Sequence, residues 1–168
     1  MLLGKRPIRS FEHADIGDLV VVRGRVIARD SIESPLTGER CVYYSYAVQR
    51  WYESAMGTVL AGDGFWQDLE RDEAITEFYL AVGDKRLIVS PTHADVGRMS
   101  GENLADVDYA LVGQRAQQLL LLPGSDVEVR GVLDSVHDLF DDARDYREMA
   151  DRMMIRAPDS GRLVIRLL

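Results

Sequence analysis

Cysteine, lysine and long apolar runs are all scarce in this chain of 168 residues. Cys41 is the only cysteine, which excludes an intramolecular disulfide and any zinc site built from several cysteines, and favours a reducing compartment. No apolar run is much longer than that from Leu119 to Leu122, whereas a membrane-spanning helix needs roughly 20 apolar residues. The amino-terminal segment also lacks the apolar core of a signal peptide. These absences predict a cytoplasmic chain. Its length predicts one domain over residues 1–168.

The acidic balance of the sequence makes one class of partner unfavourable. Acidic residues number 28 against 20 Lys and Arg residues, so the net charge is −8, and only Lys5 and Lys85 are lysines. Such a chain repels phosphate backbones, and its basic residues are scattered rather than grouped. Nucleic acid is therefore an unfavourable partner. A composition of 46% hydrophobic and 29% charged residues is typical of a globular protein.

Known catalytic and metal-binding patterns are also missing from the sequence. His13, His93 and His137 are too far apart for an H-E-x-x-H site, and no P-loop, G-x-G-x-x-G or G-x-S-x-G motif occurs. The acidic run from Asp138 to Asp145 lacks the glycine and the spacing of a calcium loop. We therefore expect no metal and no cofactor. Cys41 is a candidate nucleophile, but free cysteine is usually buried, so a structural role is favoured and an enzyme is the less favoured alternative.

Alternating apolar residues predict several long strands. Gly83 and Asp84 lie between two apolar runs, which favours a hairpin with a type II′ turn. A last strand is predicted from Gly161 to Leu168, and a further strand from Met153 to Pro158 is an alternative interpretation of the segment before it. The other predicted strands are Gly17 to Asp30, Glu39 to Glu53, Thr76 to Val82, Lys85 to Pro91 and Asp126 to Val136.

Two helices and two loops complete the expected elements. The first helix begins near Asp106 or Asp108 and ends at Pro123-Gly124. A shorter helix is expected from Asp141 to Met153. The segments from Ser54 to Asp72 and from Pro91 to Asn103 are interpreted as loops. The buried stripe of the first helix would be Val112, Ala116, Leu119 and Leu120.

Two glycines inside strands indicate how the sheet curves. Gly24 and Gly131 lie within matching patterns, because the spacing from Gly17 to Gly24 (G-x-x-V-x-V-R-G) recurs from Gly124 to Gly131. An internal glycine lets a long strand bend, as a small closed barrel requires. The repeated pattern arises either from duplication or because two strands each need a glycine at the same place in order to bend. We predict a mainly β fold with one or two helices, an OB-like barrel of five to seven strands, with an open α+β sheet as the alternative.

The segment from Gly24 to Tyr46 contains a G-x-V strand, an S-P-L-T-G turn and the string C-V-Y-Y. In these motifs it resembles the GIDE-type domain, also called the BAM (beside-a-membrane) domain. That domain occurs in membrane-anchored RING-type E3 ubiquitin ligases of mitochondria and chloroplasts and in many bacterial proteins. A RING needs about eight zinc ligands, mostly cysteine, and this sequence has one cysteine, so ligase activity is not expected here. The motif residues are Gly24, Val26, Ser34, Pro35, Leu36, Thr37, Gly38, Cys41, Val42, Tyr43 and Tyr44.

The resemblance implies a non-enzymatic module that binds a protein partner, close to a membrane if the natural chain is longer. In the S-P-L-T-G turn, Pro35 fixes φ and Gly38 permits positive φ, which suits a corner between two strands. The same turn would present Ser34, Thr37 and Arg40 as an exposed surface for the partner. The alternative is an OB-like domain that binds nucleic acid or a nucleotide, with its tyrosines and Trp51 stacked on the bases.

Overall fold

The computed structural model describes residues 8–53, 64–101, 104–108, 111–136 and 152–168. Within these ranges the chain forms fourteen β-strands and one short 3-10 helix, Phe11–His13. The strands are β1 (Arg9–Ser10), β2 (Leu19–Ala28), β3 (Ile32–Glu33), β4 (Arg40–Cys41), β5 (Tyr43–Glu53), β6 (Gly64–Ile75), β7 (Phe78–Val82), β8 (Lys85–Val89), β9 (Ala94–Arg98), β10 (Ala105–Val107), β11 (Gln114–Leu121), β12 (Asp126–Val136), β13 (Arg152–Arg156) and β14 (Leu163–Leu167).

Five of these strands close a barrel in the order β2, β7, β8, β13, β12 and back to β2. The β8–β13 pair is parallel, and the other four pairs are antiparallel. Numbered along the chain, the barrel strands follow the order first, second, third, fifth, fourth, which is a Greek-key arrangement. The predicted small β-barrel is confirmed. The open α+β sheet is wrong, because the sheet closes on itself.

A second, four-stranded antiparallel sheet has the order β10, β11, β5, β6. Its strands come from two insertions into the barrel, one between β2 and β7 and one between β8 and β12. The helix predicted from Asp106 or Asp108 to Pro123 is wrong, since β10 and β11 occupy that segment. Apolar residues at 116, 119 and 120 fit a helical stripe, but pairing with β5 satisfies the backbone, and tertiary context overrides such a local signal.

Both predicted loops contain a strand. β6 begins at Gly64, and most of its side chains are exposed, so it lacks the apolar alternation by which a strand is detected. β9 lies inside the predicted loop from Pro91 to Asn103 and pairs in parallel with β14. The predicted helix from Asp141 to Met153 lies outside the described residues up to position 151, and its last two positions begin β13. The optional strand from Met153 to Pro158 is confirmed by β13.

Apolar side chains fill the barrel and join it to the second sheet. Tyr43, Leu119 and Leu121 of the second sheet belong to the same buried cluster as the barrel residues. Burial of each valine or leucine stabilises the folded chain by about 1.5–3 kcal/mol relative to exposure. The two longest barrel strands supply buried side chains from alternate residues, as predicted. These side chains are Val20, Val22 and Val26 of β2 and Val127, Val129 and Leu133 of β12.

Gly24 and Gly131 lie where a barrel strand changes its neighbour. On one side, β2 pairs first with β1 and then, from Arg25, with β7. In the same way β12 pairs first with β14 and then with β13. A Cβ added at Gly24 would lie 2.5 Å from the carbonyl oxygen of Ala81, and one at Gly131 would lie 2.5 Å from that of Arg156. Neither approach leaves room for a side chain.

The repeated glycine pattern corresponds to a local two-fold relationship between β2 and β12. These strands pair antiparallel, and Val22 lies opposite Val129, its equivalent in the other pattern. The pair of Gly24 with Val127 is likewise equivalent to the pair of Gly131 with Val20. The hydrogen bonds at the two ends are equivalent as well. They run from the Gly17 N–H to the Leu133 carbonyl at 2.7 Å and from the Gly124 N–H to the Val26 carbonyl at 2.8 Å.

The hairpin predicted around Gly83 is present as β7 and β8. Val82 pairs with Lys85 across the two-residue turn, and Gly83 has a φ of 59°, as the first position of a type II′ turn requires. The hairpin supplies two neighbouring strands of the barrel wall.

Candidate functional site

The S-P-L-T-G segment forms a tight corner between β3 and β4. The Gly38 N–H donates to the Ser34 carbonyl at 2.8 Å, and the Ser34 N–H donates to the Glu39 carbonyl at 2.9 Å. Gly38 has a φ of 72°, which is why a residue without a side chain suits this position. Pro35 is exposed at the turn. The corner directs the chain into β4 and then into β5.

One side of this corner packs onto the second sheet rather than facing solvent. Ser34 is only 2% exposed, and its Oγ donates to Gln118 Oε1 at 2.8 Å. Leu36 packs against the small buried cluster on the same face of that sheet. The prediction that Ser34 is exposed is therefore wrong, because a partner 84 positions away in sequence covers it. Thr37 and Arg40 are exposed, as expected.

Cys41 lies in the interior. Its relative exposure is 0%, and its Sγ lies 3.6 Å from the Ile32 carbonyl oxygen. Burial raises the pKa of the thiol, and the nearby charge of Glu39 raises that pKa further. A thiol that is shielded from solvent and keeps its proton is a poor nucleophile.

The tyrosines that follow Cys41 act as hydrogen-bond donors to β6. The phenols of three of these tyrosines reach diagonally across the β5–β6 pair to a carboxylate, and Gln49 contacts the carboxylate of the residue directly opposite it. The four carboxylates are thereby held along one strand, a set that we call the β6 carboxylates. The contacts are Tyr43 to Glu73 at 3.2 Å, Tyr44 to Asp72 at 3.2 Å, Tyr46 to Glu70, and Gln49 to Asp68 at 2.6 Å.

The pKa values of these side chains keep the phenols protonated and Asp68 charged, as the hydrogen bonds require. Burial raises the pKa of Tyr43 to about 12, and the hydrogen bond to Glu70 raises the pKa of Tyr46 to about 12. The hydrogen bond from Gln49 lowers the pKa of Asp68. At neutral pH the phenols therefore remain donors, and Asp68 remains charged.

β6 lies at the edge of its sheet. Among the described strands it pairs with β5 alone, so its other side carries backbone N–H and carbonyl groups without a strand partner. Leu69 is the extra residue of a bulge and is 48% exposed. The strand carries four carboxylates and one cation, Arg71, which pairs with Asp68 at 3.1 Å. The edge is therefore long, accessible and acidic.

Aromatic side chains cluster at the end of the β5–β6 pair farthest from Tyr43. Trp51 and Trp66 meet edge to face with ring centroids 5.4 Å apart, and Tyr52 stacks on Phe65 at 6.0 Å. The guanidinium of Arg115 lies 4.3 Å from the centre of the Trp66 ring. These pairs help to hold the two long strands together.

Sequence reasoning missed the β6 carboxylates because their strand was assigned to a loop. A signal was present in the acidic residues at 70 and 72, whose spacing of two is the period of a strand. Of the predicted surface residues, Tyr43 and Tyr44 contact the β6 carboxylates. Thr37 and Arg40 make no hydrogen bond to these carboxylates within the described ranges.

Comparisons with known proteins returned no matching family, no matching curated protein and no matching solved structure. Within the described ranges, no group of three or more His, Cys, Asp or Glu side chains is arranged to hold a metal ion. In that same part of the chain, no helix has the length and apolar character needed to cross a bilayer.

Proposed function

We propose that this chain is a non-enzymatic protein-interaction module that binds an extended, basic segment of a partner protein along the edge of β6. The observation that carries the proposal is the position of β6, a 12-residue edge strand with four carboxylates held in place by its neighbour. The single cysteine favours the reducing environment of the cytoplasm as the setting.

An open edge strand binds an extended peptide by forming one more ladder of backbone hydrogen bonds. Natural proteins discourage such pairing between copies of themselves by placing charges on the edge. The charges on β6 are mainly negative, so two β6 edges repel one another. A basic segment instead finds both backbone partners and opposite charge.

The fixed position of the carboxylates favours binding further. Each one accepts a hydrogen bond from a phenol or an amide and keeps lone pairs for a further donor. Ordering a free side chain on binding costs about 0.5–1.5 kcal/mol, and groups already held in place avoid part of this loss. Tyr43, Tyr44 and Tyr46 thus contribute to recognition by holding these carboxylates in place.

A capped peptide of alternating Lys and Thr tests the proposal. We expect binding by calorimetry at low salt, weaker binding as salt rises, and no binding of a matched Glu/Thr peptide. Asp72→Asn should weaken binding about two- to five-fold, because one exposed ion pair is lost while the Tyr44 bond can persist. The control Asp159→Asn removes the same charge from a 97% exposed side chain outside this sheet and should change nothing.

Amide hydrogen exchange identifies the mode of binding. Pairing along the edge should slow exchange of β6 amides that are otherwise open to solvent, with little effect on β2 or β12. A peptide that binds without protecting β6 would show that the edge is not the site.

We also propose that the chain is a GIDE/BAM-like module without a RING. The support is the run from Ser34 to Tyr44, in which one corner and one buried cysteine lead into two tyrosines that contact the proposed binding strand. In this arrangement the motif sets the register of β5 and so the position of the phenols. Shifting that register by one residue would turn the tyrosines to the opposite face.

The aromatic end of the β5–β6 pair favours a second candidate, binding of single-stranded nucleic acid. Phe65 is 56% exposed, and Arg50 lies 5.7 Å from the centre of the Tyr52 ring. Stacking on such a surface contributes about 1–3 kcal/mol per base. Binding of an oligonucleotide at low salt that Phe65→Ala abolishes would favour this candidate over a basic peptide.

A further inference from the structure

A cavity of about 300 Å³ opens between the end of β6 and the segment that joins β8 to β9. Tyr43, Glu73 and His93 supply its polar lining, and Ile75 and Pro91 supply part of its apolar lining. This volume is at the lower end of the range for ligand sites, which suits one side chain rather than a large cofactor. Glu73 is the last of the β6 carboxylates, so the cavity continues the acidic edge.

The backbone at His93 has an unusual conformation. Its φ of 56° lies in the left-handed region, where histidine is found more often than most residues but still rarely. The conformation is held because the His93 carbonyl accepts from the Leu163 N–H at 3.0 Å and the Pro91 carbonyl accepts from the Ala94 N–H at 3.2 Å. Rare backbone conformations that the surrounding structure keeps in place are frequent at binding sites, so this one supports the interpretation of the cavity as a binding site.

The polar groups of the cavity are mostly acceptors. The Tyr43 hydroxyl donates its proton to Glu73 and keeps an oxygen lone pair, and the Glu73 carboxylate has further acceptor positions. Within the described ranges Glu73 has no cationic partner, whereas the neighbouring Asp95 pairs with Arg166 at 3.0 Å. The cavity is therefore complementary to a group that is positively charged and rich in donors.

We infer that this cavity binds the guanidinium of an arginine side chain carried by the partner segment on β6. The inference rests on the proposed function, because the segment would bring the arginine to the end of the edge strand. A guanidinium presents five donors in a flat fork that matches a carboxylate and a phenol oxygen together. A lysine ammonium is a compact point charge, more strongly hydrated, and lacks that shape.

The first test uses N-acetyl-arginine methylamide as the probe and follows His93 and Tyr43 by NMR. We expect saturable shifts at both residues, and at least five-fold weaker binding of the lysine and citrulline analogues. Glu73→Gln should weaken the arginine probe at least five-fold. The control Glu70→Gln lies on the same strand with its own phenol partner, outside the cavity, and should leave the probe unaffected.

The second test compares peptides, and it separates this inference from the proposed function. Replacing one Lys of the basic peptide by Arg at the position nearest Glu73 should raise affinity in the wild type but not in Glu73→Gln. If the peptide binds and the two glutamate variants weaken it equally, the arginine cavity is refuted while edge pairing stands. If only the small probe binds, edge pairing fails, and with it the inference that a partner segment brings the arginine. If neither binds, the inference is refuted outright.

Discussion

Replacement of Gly131 by alanine should destabilise the barrel through steric overlap at the point where β12 changes its neighbour. The new Cβ would lie 2.5 Å from the carbonyl oxygen of Arg156. It would also lie 2.7 Å from Leu163 Cδ1 and 2.8 Å from Ile155 Cγ2, both of which are fully buried side chains. A backbone carbonyl in a paired strand cannot turn aside, so β13 itself must shift.

The size of the effect follows from two opposing contributions. Overpacking of a filled core costs about 1–3 kcal/mol, and three close contacts, one of them to backbone, place this case at the upper end. Replacing a glycine within a strand recovers about 0.5–1 kcal/mol of conformational entropy. The net loss is about 2 kcal/mol, or a fall in Tm of roughly 4–8 °C for a chain of this length. Gly24→Ala should behave alike, because its Cβ would lie 2.5 Å from the Ala81 carbonyl oxygen.

Urea unfolding followed by far-ultraviolet circular dichroism measures this loss as a lower midpoint at unchanged slope. Gly161→Ala is the matched control, because its Cβ would meet nothing nearer than Pro158 at 3.6 Å. The control should change the free energy of unfolding by less than about 0.5 kcal/mol. Equal midpoints for Gly131→Ala and Gly161→Ala would refute the role of Gly131 as a required kink.

Three further predictions concern side chains near the candidate site. Ser34→Ala should lower the free energy of unfolding by about 1–2 kcal/mol, because Gln118 loses the hydrogen bond from a buried donor. The control Thr37→Ala should change that free energy by less than about 0.5 kcal/mol, and equal urea midpoints for the two variants would contradict the prediction. Stability should fall as the pH rises from about 10 to about 12, since the Tyr43 pKa is about 12 when folded and about 10 when unfolded, so the unfolded chain binds fewer protons there. Phenolate absorbance measures that titration, and an unchanged curve for Tyr43→Phe would contradict it. Cys41 should react with a disulfide reagent at least about 100-fold more slowly in the native than in the denatured chain, and similar rates would refute its burial.

The elements that sequence reasoning identified well are those whose signal is local. β12 has the predicted bounds, because Val127, Val129 and Leu133 alternate with exposed or half-buried residues. The β7–β8 hairpin needs only two apolar runs and a glycine between them. Burial of Cys41 could be predicted because free cysteine is among the most buried residue types.

The elements that it missed depend on distant partners. β11 has apolar residues at helical spacing, and its strand state comes from pairing Leu121 with Tyr43 in a segment almost 80 positions earlier. β6 is exposed on both faces, so no alternation of apolar with polar residues marks it. Ser34 looked like a surface residue because the Gln118 side chain that covers it lies 84 positions later. Each of these facts becomes available only when the register of the second sheet is known.

The pairing of β2 with β12 has a consequence for how the chain matures. Val22 and Val129 are partners although 107 positions separate them, and folds built on such distant contacts form slowly. Chains are synthesised at about 5–20 residues per second, so β2 leaves the ribosome roughly 5–20 s before β12 exists. During that interval the apolar face of β2 has no barrel to enter. A nascent chain arrested before residue 126 should therefore be held by a chaperone or associate with other nascent chains.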